Sequence, residues 1–168
     1  MKVDYIVKTE DNVTELAVTS SSTNLIEPEQ VLIVVRSGIL KHTLPVAINK
    51  VVVCLNQDMK AIKPFAGMYT KFFFWKLKGI SKEILTFCNK MGATVDSIEV
   101  PDLLNLLFTF PSIPEQSAIV AHIEVECSRL DTIINKFEKQ IDLFKEYRTT
   151  LISEVVTGKI DVRGEVAV

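Results

Sequence analysis

The sequence has no C-x-x-C pair, no glycine-rich phosphate loop and no apolar run that approaches a membrane span. Each absence closes a class of function. Cysteine is limited to Cys54, Cys88 and Cys127, odd in number, far apart and in apolar company, so neither a zinc site nor a disulfide framework is indicated. The three read as buried structural thiols. His42 and His122 lie in different parts of the chain, far from forming a metal site or a Cys–His dyad by sequence. Gly38 and Gly92 stand alone, without the clustered glycines that cradle a nucleotide's phosphates. No G-x-S-x-G, H-E-x-x-H, kinase or Asn-Pro-Pro-Tyr-type methyltransferase motif occurs. Carboxylate pairs such as Glu27/Glu29 and Glu124/Glu126 sit in solvated charge patterns and read as surface, not as a catalytic dyad. The longest strongly apolar runs, Val31–Val35 and Val51–Leu55, are five residues each, where a membrane helix needs about 20. Met1-Lys2-Val3-Asp4 opens the chain without an apolar signal core, so the expectation is a cytoplasmic protein with no membrane contact. These exclusions leave a binder, not a catalyst, with no metal or cofactor of its own.

What is present is a chain of 168 residues, 48% apolar and 24% charged, enough for one modest core plus one extended element. The net charge of −2 argues against nucleic acid, but its distribution is uneven. From Arg36 to Lys90, ten basic residues meet only Asp58 and Glu83, a net of +8; from Pro111 onward seven basic residues face ten acids, a net of −3. Such asymmetry fits an anion-facing module joined to a protein-facing one, and equally a basic solvated surface.

The fold class predicted is α+β: a small, mixed, β-rich domain with packed helices over residues 1–111, one long coiled-coil helix over about 113–157 inside a segment 112–158, and a tail over 159–168. Residues 1–30, with the Ser/Thr run Thr19–Thr23, read as a loose strand or two and a loop. Val31–Val35 and Val51–Leu55 are β-branched, short and bounded by turn residues, so both read as strands. Met59–Ile62 reads as a third, stopped by Pro64. Tyr69, Phe72, Phe73 and Leu77 give one helical stripe; a second helix over about Lys82–Lys90 turns Ile84, Leu85 and Cys88 inward. The Phe72-Phe73-Phe74-Trp75 cluster suits base stacking, but helical spacing favours core. Gly92-Ala93-Thr94 reads as a loop, and Leu103–Phe110 as apolar chain returning to the core.

The C-terminal third carries the clearest pattern. Ser112 and Glu115 fit a capping box with Pro114 in the first turn, and no proline or glycine follows until Gly158. A helix of about 43 residues at 1.5 Å per residue is about 65 Å long. Its apolar residues hold a heptad: Ile123, Leu130, Phe137, Phe144 and Leu151 on one seam position, Cys127, Ile134, Ile141, Arg148 and Val155 on the other, with Arg148 alone polar. Ile119, Ile133 and Tyr147 widen the stripe, leaving room for a second partner at its side.

Four segments resemble a known family. Arg36–Ile48 (RSGILKHTLPVAI) and Leu55–Ile62 (LNQDMKAI) are similar to the target-recognition domain of type I restriction–modification specificity subunits. Pro111–Gln116 followed by Ile119 is similar to the start of that family's spacer helix, and Leu143–Arg163 to its C-terminal signature. The resemblance implies two recognition domains separated by two antiparallel helices in a full-length member, each domain reading half of a bipartite DNA site. It implies docking of methyltransferase subunits that bind S-adenosylmethionine, and of restriction subunits that use ATP and Mg²⁺. This chain has one such domain and one such helix. A second copy would supply the missing helix as an antiparallel homodimer with recognition domains at opposite ends, reading a palindromic interrupted site. Candidate DNA contacts are Arg36, Ser37, Lys41 and His42 around the first turn, Gln57 and Lys60 around the second, and Thr94 in a third loop; Asn56-Gln57-Asp58 equally suits a plain hairpin cap. Tyr147 and Arg148 are candidates for methyltransferase docking. Two other classes compete: a protein-interaction module on a coiled coil without DNA, and a thiol enzyme using Cys88 or Cys127.

Overall fold

The structure, a computed structural model, describes residues 3–21, 23–90 and 95–164. The chain divides into two compact units, residues 1–120 and 121–168.

In the first unit the strands are β1 (Tyr5–Ile6), β2 (Leu25–Ile26), β3 (Val31–Val34), β4 (Val46–Asn49), β5 (Val53–Cys54), β6 (Met59–Ile62), β7 (Asn89–Lys90) and β8 (Ser97–Ile98). β3 and β4 pair antiparallel, with β6 antiparallel on the far side of β3 and β1 parallel on the far side of β4. The sheet order is β1-β4-β3-β6, and β2/β5 and β7/β8 form separate two-stranded ladders. Val31, Leu32, Ile33, Val46, Ala47 and Ile48 are all buried. Both strands are covered on both faces, which is why they read as unbroken apolar runs without alternation.

The second strand of the sheet is not where the sequence placed it. Val51 and Val52 are exposed, and only Val53–Cys54 pairs, with β2. The central strand is Val46–Asn49, whose Ala and Asn carry little strand propensity. It forms because Pro45 ends the preceding turn, its carbonyl accepting the Val34 N–H at 3.1 Å, and because neighbours on both sides complete its ladder. Met59–Ile62 is the expected strand.

Helices α1 (Glu15–Thr19), α2 (Thr70–Gly79), α3 (Ser81–Cys88) and α4 (Val100–Leu104) complete the first unit. α1 lies within the stretch read as strands and loop; the Thr14 hydroxyl caps it, accepting from the Ala17 N–H at 3.2 Å. On α2 the buried residues are Phe72, Phe74 and Leu77, while Phe73 is half-buried and Tyr69 is the N-cap. The stripe is therefore wider than the expected one. Phe74 is fully buried, stacked 6.2 Å from Tyr5 and edge-on to Trp75 at 5.1 Å. Burial of such a ring contributes on the order of 1.5–3 kcal/mol. The aromatic cluster is core, as expected. α3 turns Ile84 and Cys88 inward with Leu85 half-buried. The reading of Leu103–Phe110 as core holds only in part: Leu103 belongs to the core, Leu106 packs against it and Phe108 is half-buried. Leu104, Leu107 and Phe110 are exposed.

α5 (Ile113–Val156) is one unbroken helix of 44 residues, about 66 Å long at 1.5 Å per residue. It ends in a Schellman turn: Gly158 adopts φ +74°, its N–H donates to the Val155 carbonyl at 3.1 Å, and the Lys159 N–H donates to Glu154 at 2.8 Å. Among the described residues no helix is long and apolar enough to cross a membrane.

Candidate nucleic-acid interface

One end of the central sheet gathers three distant stretches of sequence. β3 ends there, and β4 and β6 both begin there, because each runs antiparallel to β3. The Asp58 carbonyl accepts from the Val35 N–H at 2.8 Å and the Arg36 N–H at 3.3 Å. The Ser37 N–H donates to the Asp96 carbonyl at 3.1 Å, the Ile98 N–H to Val35 at 2.7 Å, and Arg36 bridges Ser97. Segments 35–42, 56–60 and 95–98 are thus stitched together by backbone. The candidates from the first two turns share this end. Thr94 lies outside the described residues, between β7 and β8.

Local chemistry sets what each candidate can offer. The Ser37 hydroxyl caps a short 3-10 turn, Gly38–Lys41, by accepting from the Ile39 N–H at 3.4 Å, so its first role is structural. Arg36 Nε lies 3.4 Å from Asp58 Oδ1, within ion-pair range but poorly aligned for a hydrogen bond. Asp58 Oδ1 is itself buried, while the Arg36 side chain is 57% exposed and so remains accessible to an anion. Lys41 closes the 3-10 turn, and His42 follows it; both are exposed. Gln57 is exposed at the tip of a turn whose Asn56 Oδ1 accepts from the Asp58 N–H at 3.1 Å, the plain turn-capping role. Lys60 is exposed on the edge strand β6, opposite Ile33.

The basic window is more dispersed than its charge of +8 suggests. Acids from outside it reach back: Glu29 to Lys50 at 2.6 Å, Asp4 to Lys78 at 2.7 Å and Glu99 to Lys90 at 3.2 Å. Lys78 also lies over the Phe74 and Trp75 rings at 5.1 and 5.0 Å, a cation–π contact that fastens it to the core. Among the described residues Lys41, Lys60, Lys63, Lys76 and Lys82 have no ion-pair partner within 4 Å.

Two buried amides hold this frame, and neither was singled out as a functional residue from sequence. Asn49, fully buried, accepts the Gln30 N–H at 2.9 Å and donates to Glu27 at 2.8 Å and Val51 at 3.0 Å, tying the β2–β3 loop to the stretch that follows β4. Gln116, also fully buried, accepts the Tyr69 N–H at 2.8 Å and donates to the Gly67 and Pro111 carbonyls at 2.9 Å each. It pins the first turn of α5 to the start of α2. Its presence in the Pro111–Gln116 motif was the available signal. Buried amides so fully bonded are stiff anchors. Burial, with the Asp102 carboxylate close by, pushes the Cys88 thiol up, away from the thiolate a nucleophile requires. Cys127 sits in the helix seam. Among the described residues no three metal-ligating side chains come together.

The second unit presents the seam. Leu130, Ile134, Phe137, Ile141, Phe144 and Leu151 are exposed, from 38% at Leu151 to 71% at Phe144. Ile123, Cys127 and Val155 are half-buried, and Tyr147 and Arg148 are exposed. A continuous apolar strip of this length marks an interaction surface.

A sheet-based head of converging turns and a long helix with an unmatched heptad face define a recognition module. The chain belongs to the type I restriction modification DNA specificity domain family, whose model matches residues 2–143. It is 36% identical over 148 residues, 86% of its length, to the Escherichia coli type I restriction enzyme EcoR124I/EcoR124II specificity subunit, and covers 37% of that subunit. A chain in a solved structure concerning complex assembly and conformational transition of the type I R-M system shares its fold with a TM-score of 0.67 and 18% identity. The match covers 80% of this chain and 32% of that one. The chain thus spans about a third of the length of each. Specificity subunits are the non-catalytic, DNA-recognising components of type I systems, and the family implies no cofactor on this chain. The family resemblance read from the four motifs is correct.

Proposed function

We propose that this chain reads one half of a bipartite double-stranded DNA site as a half-length specificity module, and that a second copy completes it. Residues 1–111 are the target-recognition domain, residues 112–158 the spacer and dimerisation helix, and residues 159–168 a tail. The observation that carries this reading is the convergence of segments 35–42, 56–60 and 95–98 at one sheet end, with Arg36, Lys41 and Lys60 on it, in a chain of this family. Lysines grip phosphates while Arg36, His42, Gln57 and Thr94 read base edges in the major groove. Ser37 shapes the first turn. Antiparallel pairing through the seam attaches the two heads at opposite ends of the helix pair, so the site read is an interrupted palindrome. Tyr147 and Arg148 dock methyltransferase subunits, which carry S-adenosylmethionine; restriction subunits with ATP and Mg²⁺ join for cleavage, all in the cytoplasm.

Methylation mapping of host DNA with and without this gene tests the whole reading. A new adenine mark within one interrupted palindromic motif supports it; an unchanged methylome contradicts it. Binding of the Lys41→Ala/Lys60→Ala double variant to duplex DNA, followed by anisotropy across salt, tests the interface. In a dimer with both heads on the DNA the double variant removes four lysines, and the log–log salt slope is expected to fall by about 3.6, at roughly 0.9 for each phosphate no longer neutralised, for every sequence tried. An unchanged slope removes both lysines from the interface.

A further inference from the structure

The seam and its flanks fix more than the presence of a partner. We infer the register of the antiparallel pair proposed above: Phe137 meets the partner's Ile141, and Asp131 is held between the partner's Lys145 and Arg148. This rests on the two-copy reading above.

Direction follows from charge. In a parallel pair each seam residue meets its own copy, which would press Arg148 against Arg148 inside an apolar layer. It would also set Glu126 beside the partner's Asp131, but the antiparallel pair has like-charge flank contacts of its own, so the Arg148 layer decides the direction. In an antiparallel pair the two kinds of seam position face each other and Arg148 meets an apolar residue, along which its stem packs while the guanidinium reaches out.

Register follows from overlap. With Phe137 on the partner's Ile141, Ile123 meets Val155 and every one of the ten seam positions has a seam partner. A one-heptad slip in one direction sets Leu151 and Val155 against Val120 and Gln116, both already buried in the first unit. A slip in the other direction carries Cys127 and Ile123 past Val156, the last helical residue, onto Gly158 and Val162. Either slip strands two seam layers.

The chosen register leaves a chemical signature. Arg148 then faces Leu130, so the neighbouring Asp131 receives Arg148 from one side and the partner's Lys145 from the other, twice by symmetry. Asp131 has no ion-pair partner among the described residues, and Lys145 has only the exposed Asp142, Nζ to Oδ1 2.9 Å. On the opposite flank Ile133 meets the partner's Tyr147, and Gln140 meets its own copy at the two-fold axis. The register also sets Glu138 near its own copy and Glu126 near Glu154, like-charge meetings at solvated flanks. Slipped registers would hand Lys145 and Arg148 a different acid, Glu124 in one case and Glu138 in the other. The acid that matters therefore reports the register.

Sedimentation equilibrium on the full chain tests this, using Asp131→Lys, Lys145→Asp, Glu124→Lys and Glu138→Lys, with circular dichroism confirming equal helix content. Asp131→Lys and Lys145→Asp are each expected to weaken the homodimer about tenfold, and an equimolar mixture of the two is expected to recover most of the lost affinity as a heterodimer, with the partner's Arg148 withholding the rest. Glu124→Lys and Glu138→Lys are expected to leave affinity within about twofold. Weakening by Glu124→Lys or Glu138→Lys with no effect of Asp131→Lys overturns the register. Tightening by Asp131→Lys shows parallel helices and overturns the direction. A wild-type monomer refutes the two-copy reading itself and this inference with it.

Discussion

The two units dispose of their apolar residues in opposite ways. In the first, Val31, Ile33, Ile48, Phe74, Leu77 and Ile84 close on one another within a single core, assembled from strands and helices distant in sequence. In the second, Leu130, Phe137, Ile141 and Phe144 lie along one helix with no second element to cover them. The head covers its own apolar residues, whereas the helix leaves its seam exposed.

The sharpest way to break the contrast is to charge the seam. Phe137→Asp with Ile141→Asp is expected to weaken self-association by at least a hundredfold while the head keeps its thermal transition, checked by sedimentation and calorimetry. The converse variant, Phe74→Ala, is expected to destabilise the head by about 3–5 kcal/mol through cavity formation and leave the helix pair intact. Equal damage to both units by either variant would erase the distinction. Gln116→Leu probes the joint where α5 begins: it strands the Tyr69 N–H and two carbonyls, and a loss of about 1–3 kcal/mol in denaturant unfolding is expected. Arg148→Leu, which fills the one polar seam position, is expected to tighten the dimer several-fold while admitting slipped registers.

The smallest effect concerns pH. The folded Cys88 thiol is held above the usual thiol value by burial. Its contribution to head stability is full below the unfolded thiol's range and is lost as pH rises through the folded value. Head stability should therefore decline at alkaline pH, and Cys88→Ala should remove that part of the slope in urea titrations.

The same contrast explains what could be read from sequence. α5 depends on local signals, Pro114 in the first turn, Gly158 at the stop and a heptad between them, so its bounds and its exposed face were legible. Val46–Asn49 was not, because Ala47 and Asn49 carry no strand signal and the strand exists through pairing with β1 and β3. Asn49 and Gln116 looked like ordinary polar residues; only the loops folded around them make them hubs. Phe110 and Leu107 looked like core by hydropathy, yet Leu107 is fully exposed and Phe110 meets the exposed Phe65 ring edge-on at 5.2 Å. The turn candidates were legible as turns, and their convergence was not, since the bonds joining residues 35–37 to 58 and 96–98 span distant sequence. Three lysines of the basic window are paired by acids from outside it, which composition by window does not reveal.

Sedimentation equilibrium of the unmodified chain from nanomolar to tens of micromolar, at moderate salt, tests most directly whether the helix seam joins two copies. A reversible monomer–dimer transition that the Phe137→Asp/Ile141→Asp variant abolishes is the expected result. A single monomeric species across the whole range, identical in wild type and variant, would contradict it.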